Sequence, residues 1–169
     1  IVTDCAGCGC ALKEYEEILE GKATHAELTR FRSKVRDISE FLAGAGVRTE
    51  GLRPVPMSVT YHEPCHLVHG QGLAKPPREV IRSIPGVELR EMKESNWCCG
   101  MAGSFALKEL ETSRRLLERK LANVRATEAD ALVTANPGCH LQLAWGVREL
   151  GLKQPVLHVV ELMGRALPS

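Results

Sequence analysis

Three cysteine-bearing turns constrain this chain more than any other feature. Each follows a short apolar or β-branched run and precedes an amphipathic one. The central turn reads Ser95-Asn96-Trp97-Cys98-Cys99-Gly100-Met101-Ala102-Gly103-Ser104. Gly100 permits φ > 0, so the backbone can fold tightly around whatever the paired thiols hold. A helical run is expected over Ser104–Leu110. Both thiols would then precede a helix N-terminus, whose dipole favours anionic sulfur. The flanking turns are Tyr61-His62-Glu63-Pro64-Cys65-His66 and Asn136-Pro137-Gly138-Cys139-His140. Cys65, Cys98, Cys99 and Cys139 are therefore expected to converge on one metal site.

Periodicity supplies the frame around these turns. Ile1–Thr3 reads as the end of a buried strand, and Val59–Tyr61, Val87–Met92, Ala131–Thr134 and Val156–Val159 read as further strands. A helix is predicted over Cys8–Leu19, with Leu12, Tyr15, Ile18 and Leu19 inward. A second runs from the cap Thr24 to Ala43, with Phe31, Val35, Ile38, Phe41 and Leu42 inward, and is ended by Gly44 and Gly46. Val47–Pro56 is a polar, proline-bearing connector. A short helix follows Pro64-Cys65, and another opens at Pro76-Pro77. Longer ones cover Glu111–Ala126 and the stretch from the Asn136–Cys139 turn to Leu150. A last short helix starts near Val160. Alternating strands and helices predict an α/β fold with a mainly parallel sheet. The cysteine turns then lie at the carboxyl edge of that sheet, where such folds place their sites.

Composition narrows the function classes. A chain of 169 residues can bury one sizeable core. The net charge is +1, and the most basic stretch, Arg114–Lys120, is broken by Leu and Glu at helical spacing. Nothing points to nucleic acid or an anionic membrane surface. No apolar run reaches the roughly 18 residues of a transmembrane helix, and no export leader is visible. The chain starts without Met, which reads as a trimmed piece. Seven cysteines cannot all pair with one another. Without an export signal, clustered cysteines point to metal or redox chemistry rather than disulfide staples. Cys10 is expected to be a buried thiol acting as a small apolar residue.

An internal echo divides the chain. Ile1–Cys8 and Leu132–Cys139 align at a fixed offset of 131, with Val, Thr, Gly and Cys coinciding. Residues 1–50 are read as the C-terminal part of a first unit, and 51–169 as a whole second unit, packed together as one globular body. Cys5 and Cys8 are the remnant of the first unit's site. Their partners would lie upstream of Ile1, so this pair is a metal candidate lacking its own partners.

The spacing also bears on the metal. Thirty-two residues separate Cys65 from Cys98, and 39 separate Cys99 from Cys139. Zinc fingers pair ligands about two to four residues apart. Adjacent side chains diverge, which suits a cluster several ångströms across better than one ion, so iron–sulfur is favoured and zinc stays open. His62, His66, His69 and His140 flank the thiols; a histidine could replace a thiolate, as in some clusters and zinc sites, but they are read first as supporting or exposed residues. Trp97 is read as a shield over the site or as core packing. Glu63 with His62 offers an acid/base pair around which nothing else assembles.

The combined pattern Cys-x32-Cys-Cys-Gly-x35-Asn-x-x-Cys closely resembles the cysteine-rich CCG module of heterodisulfide reductase, anaerobic glycerol-3-phosphate dehydrogenase, lactate-utilisation and glycolate oxidase iron–sulfur subunits. Within that group the wording is closest to glycolate oxidase iron–sulfur subunits. The resemblance is carried by Ala6-Gly7-Cys8-Gly9, Tyr61–Leu67, Cys98–Ser104 and Asn136–Leu143, and covers nearly the whole chain. It implies an oxidoreductase subunit of the cytoplasm or the inner face of the cell membrane, peripherally associated through its complex. It also implies an iron–sulfur cluster of the [4Fe–4S] kind, with no catalytic residue in this chain. An FAD-containing partner would oxidise glycolate or another 2-hydroxy acid and hand electrons on towards the respiratory chain. A ferredoxin-like N-terminal domain found in such proteins is absent here. Asn136 departs from the five-cysteine pattern. That weakens heterodisulfide-reductase-like thiol–disulfide chemistry and leaves a zinc-stabilised docking scaffold as the alternative.

Overall fold

The computed structural model describes residues 1–19, 21–46 and 49–168. The chain opens with β1 (Val2–Thr3), α1 (Ala6–Lys13), α2 (Tyr15–Ile18) and α3 (His25–Arg32). It continues through β2 (Arg36–Asp37), α4 (Ile38–Ala45) and β3 (Met57–His62) to a π-helical turn at His66–Gly70. Then come α5 (Pro76–Ser83), β4 (Val87–Leu89), α6 (Phe105–Lys108) and α7 (Leu110–Arg125). The chain closes with β5 (Ala131–Thr134), α8 (Pro137–Glu149), β6 (Val156–His158) and α9 (Val159–Ala166).

The expected α/β class with parallel strands is what the chain adopts. β1 and β2 pair in parallel, and a four-stranded parallel sheet has the order β4-β3-β5-β6. The chain steps from β3 outward to β4, then crosses back over to β5 on the other side of β3. The carboxyl ends of β3 and β5 thus flank a topological switch point, where neighbouring connections leave in opposite directions and a crevice opens.

Helices cover both faces of this sheet. On one face Val80 and Ile81 of α5, Ile84 just past its end, and Leu162, Met163 and Ala166 of α9 pack on Val59, Tyr61, Val133 and Leu157. On the other, Leu117, Leu121 and Val124 of α7 and Leu143 of α8 pack on Leu132, and Cys99 and Cys139 share this second core. The site is therefore built into the edge of a core rather than hung from a surface loop. Helices α7 and α8 approach closely because residue 146 is glycine. A Cβ there would lie 2.6 Å from Leu121 Cδ1 and 2.7 Å from Leu117 Cδ2.

Several expectations are corrected. The helix expected over Thr24–Ala43 is two helices, α3 and α4, separated by β2. Asp37 ends the first half: its carboxylate accepts from Ser39 N at 2.8 Å, and Glu40 reaches back to Asp37 N, which is a capping box. Phe41, expected inward, is half exposed, and α4 runs on to Ala45 past Gly44, stopping at Gly46 with φ +72°. The first helix starts earlier than expected, at Ala6, because the Cys5 side chain caps it, and it breaks at Glu14. Ile18, expected inward, is exposed, as are Ile1 and Val2 of the strand expected to be buried. The strand expected over Val87–Met92 stops at Leu89. Val47 and Arg48 of the expected connector lie outside the described residues; the rest of that connector carries no strand or helix.

The echoed segments take the same form. Each runs from a strand through helix to a parallel neighbouring strand and a closing helix. That closing helix opens on a capping box in both, Asp37/Glu40 in one and His158/Glu161 in the other.

Gly146→Val should wedge α7 from α8 and cost about 1–3 kcal/mol of stability. Urea denaturation should show a lower midpoint with little change in slope.

Candidate metal centre

β3 delivers the first thiol. After His62 the chain turns through Glu63 and Pro64, and Cys65 stands at the N-terminus of the π-helical turn. β5 delivers the last. Asn136 is extended at the end of the strand, Pro137 begins α8, and Cys139 sits in its first turn. The pair Cys98-Cys99 comes from the long loop after β4.

That loop is held from two sides. From β3, Glu63 N donates to Ser95 O at 3.0 Å, and the Glu63 carboxylate accepts from Ser95 Oγ at 2.5 Å and from Arg78 Nη1 at 2.6 Å. Burial opposes the charge on Glu63, but Arg78 and Ser95 outweigh it and hold its carboxyl below the usual range. Glu63 is thus a loop clamp, with no acid/base geometry around it. From α7, the buried Lys120 donates to the carbonyls of Glu94 and Ser95, the latter at 3.0 Å. Arg119 grips the Glu94 carboxylate and lies 4.1 Å from the centre of the Trp97 ring. Trp97 is half exposed on the outside of the loop, so it neither shields the site nor fills the core.

Gly100 ends the loop with φ +92°. Its N–H donates to Cys98 Sγ at 3.3 Å, and its carbonyl accepts from Ser113 Oγ at 2.8 Å. The helix expected from Ser104 to Leu110 is only α6, followed by a break at Glu109. It is too short and too distant to act on the paired thiols, and the Gly100 N–H supports Cys98 instead.

All seven cysteines are free thiols. Cys65, Cys98, Cys99 and Cys139 meet in one cavity of about 300 Å³, which Cys5, Cys8, Asn136 and His66 also line. The four sulfurs interact in sequence. Contact with the Cys65 thiol, then with Cys99, brings Cys98 down to about 2, with help from the Gly100 N–H. Contact with Cys99 brings Cys139 down to about 4, aided by the neighbouring His62 ring and the Asn136 amide. Cys65 and Cys99 are pushed up, each chiefly by its thiolate neighbour and then by burial. Protonated and anionic thiols therefore alternate along the row. Burial lowers Lys120 to about 8, while the nearby charges of Cys99, Glu94 and Cys98 act to keep it protonated.

Cys5 and Cys8 stand at the mouth of the same cavity. Cys5 Sγ accepts from Cys8 N at 3.3 Å and donates to Asn136 Oδ1 at 3.6 Å. Gly7 N also donates to that oxygen, at 3.2 Å, while Asn136 Nδ2 donates to Cys139 Sγ at 3.4 Å. Cys10 is the buried thiol expected, raised to about 11 by burial and by its contact with Glu14.

The histidines separate. His66 is exposed with Nδ1 3.6 Å from Cys65 Sγ, His69 is exposed, and His140 bonds the Val156 carbonyl at 3.0 Å. His62 is different: it is fully buried and lies with the Cys99 and Cys139 sulfurs in a group whose donor atoms are all within 4.8 Å of one another. The strand alternation that put Thr60 and His62 on one face could have signalled this placement.

A clustered, partly anionic set of thiols at the switch point of a parallel sheet is an arrangement that could hold a metal. The CCG cysteine-rich domain matches residues 59–144, and the chain belongs to that family. It is 36% identical over 167 residues to a Bacillus subtilis protein named "Probable glycolate oxidase iron-sulfur subunit", spanning 96% of this chain and 38% of that one. It is 37% identical to a subunit of the fumarate reductase (CoM/CoB) of Methanothermobacter marburgensis, spanning 98% of this chain and 32% of that one. Lactate utilization protein A of Geobacillus kaustophilus is 28% identical over 96% of this chain and 69% of its own length. The chain thus spans about a third of the length of the first two relatives. Among the described residues, no helix is long and apolar enough to cross a membrane.

Two outcomes follow from this geometry. Gly100→Ala should lose the site, since its Cβ would lie 2.4 Å from the Ser113 carbonyl oxygen on a backbone that alanine resists. Thiol counting and metal uptake would read that loss. In the metal-free, reduced chain, alkylation of Cys98 should be flat from about pH 5 to 8, where an ordinary thiol gains roughly tenfold per unit. The depressed value means that the thiolate is already fully formed across that window. Cys65→Ala should restore a pH-dependent rate, read by mass spectrometry of the modified peptide.

Proposed function

We propose that this chain is the thiol-rich part of an electron-transfer subunit, with an iron–sulfur group held by Cys65, Cys98, Cys99 and Cys139. The observation that carries this reading is the convergence of these four thiols, already partly anionic, in one cavity at the sheet's switch point. Four soft donors spread over successive contacts fit a group several ångströms across. Such a group, once bound, supplies a one-electron carrier.

The chain's own residues orient and tune. The Gly100 N–H and the Asn136 amide each donate to a ligand sulfur, which withdraws charge and favours the reduced state. Lys120 places a buried cation near Cys98 and Cys99. The loop clamp of Glu63, Arg78 and Ser95 fixes where Cys98 and Cys99 stand.

The names of the relatives suggest the wider setting. Electrons would come from an FAD-containing partner that oxidises a 2-hydroxy acid such as glycolate or lactate, and would leave towards a respiratory acceptor. Hydride chemistry would stay on that partner's flavin. The complex would be cytoplasmic, at the inner face of the membrane. The matching forms of the two echoed segments support reading residues 1–50 as the end of one repeat and 51–169 as a second. Cys5 and Cys8 would then belong to a neighbouring centre. Zinc is the competing occupant of the second repeat, because His62, Cys99 and Cys139 lie close enough to share one ion.

Iron, sulfide and zinc per chain, measured on anaerobically reconstituted protein with an EPR spectrum after reduction, decide between these. Stoichiometric iron and sulfide, with a signal altered in Cys99→Ser, is the expected result. Zinc alone, with no redox signal, would overturn the electron-transfer reading.

A further inference from the structure

Among the described residues, His62 is the inward-facing donor of the site that the cysteine pattern leaves out. It closes β3, register-paired with Thr134 of β5, and it is fully buried. Neither Nδ1 nor Nε2 meets the geometry of a hydrogen bond among the described residues, although the ring lies near enough to Cys139 to favour its thiolate. Buried polar side chains are normally paired, and leaving one unpaired costs about 1–3 kcal/mol. A histidine with neither nitrogen in a well-formed hydrogen bond is thus an unfilled requirement next to the thiol cluster. It sits against the two deepest thiols: its donor atom and the Cys99 and Cys139 sulfurs all lie within 4.8 Å of one another.

Asn136 makes the same point from the other side. It stands where a further thiol would complete a five-sulfur set. Its amide is fully engaged, donating to Cys139 Sγ and accepting from Cys5 Sγ and Gly7 N. The position that could have given another thiolate gives a cross-link instead, and among the described residues the imidazole of His62 is the donor grouped with the Cys99 and Cys139 sulfurs.

We infer that His62 coordinates the metal group through a ring nitrogen beside Cys99 and Cys139, making the centre a mixed imidazole–thiolate one. This rests on the reading that an iron–sulfur group binds at the four thiols. A neutral nitrogen donor adds no negative charge, so the centre accepts an electron more readily than one completed by a further thiolate. The imidazole is also a borderline-soft ligand of the class that suits iron.

The test uses the full chain, reconstituted anaerobically with iron and sulfide, reduced, and examined by pulsed EPR with natural-abundance and ¹⁵N-labelled histidine. The expected result is a strongly coupled nitrogen that changes with the label, persists in His66→Ala and is lost in His62→Cys. His62→Cys should also move the midpoint potential to a more negative value, since it exchanges a neutral donor for an anionic one. A cluster signal with only weakly coupled nitrogens, unchanged by the histidine label, would overturn the inference and leave the electron-transfer reading standing. A ring N–H that merely hydrogen-bonds to sulfur would give that weak coupling. Failure to take up iron and sulfide would overturn both. The isotope comparison uses the unmodified chain and the exposed-site variant His66→Ala, so it decides the point even if the buried substitution prevents folding.

Discussion

Everything at this site depends on how the Glu94–Gly100 loop is tied down, and one of its ties is a buried cation. Lys120 is carried inward by α7 and is almost wholly removed from water. A charged ammonium in such a place is costly unless its protons are taken up. Two loop carbonyls take them, at Glu94 and Ser95, and the Cys98 and Cys99 sulfurs lie close by, Cys98 as the anion. The lysine and the thiols therefore stabilise each other's charge. Glu63 and Arg78 fix the same Ser95 from the opposite side, so the loop is pinned between β3 and α7 by the protein's own contacts. This is preorganisation of the two adjacent thiols, and it explains why a cysteine pair can face one cavity although successive side chains tend to diverge.

Glycine does the remaining work of letting the loop close. At Gly100 the positive φ and the contact with Ser113 are both incompatible with a side chain. Ser113 in turn accepts from Gln142 of α8 at 3.0 Å. One chain of hydrogen bonds thus joins the Cys98-Cys99 loop to the helix that bears Cys139. The distance between the second and third cysteine turns is set by α7 and α8, whose own separation is set by Gly146.

Much of this was legible in the sequence. The parallel α/β class and the carboxyl-edge position of the cysteine turns follow from strand-like and helix-like runs in alternation, with the helical pattern clear in α5 and α7. The thiols Cys65, Cys98, Cys99 and Cys139 do meet in one cavity, as their turns suggested. What the sequence concealed was decided by local hydrogen bonds competing with periodicity. The apolar stripe from Phe31 to Leu42 reads as a continuous helix. The Asp37–Glu40 capping box inside it restarts the chain and lets Arg36–Asp37 pair with β1. A cap of this kind was visible, but a long amphipathic pattern outweighs a four-residue signal. His62 was equally concealed. A histidine beside a cysteine turn is usually exposed, and only the burial of β3 on both faces, with Thr60 and His62 turned towards the thiol side, distinguishes it from His66 four residues on.

The contact between Cys5 and Asn136 is the most informative of the whole arrangement, because these residues hold equivalent places in the echoed segments. Each stands two residues past the end of its strand, and the fold brings the two face to face. A thiol at both places would set two sulfurs together at the rim of a cavity that already holds Cys8, Cys65, Cys98, Cys99 and Cys139. Each additional thiolate there would raise the cost of the others, since like charges in a partly buried site oppose ionisation. An amide avoids that cost. Asn136 is neutral, donates towards Cys139 with one end and accepts from Cys5 and Gly7 with the other. The residue that breaks the cysteine pattern is therefore the one that physically joins the thiols of the N-terminal segment to those of the main sheet. Its chemistry trades a ligand for a link between two sets of sulfur.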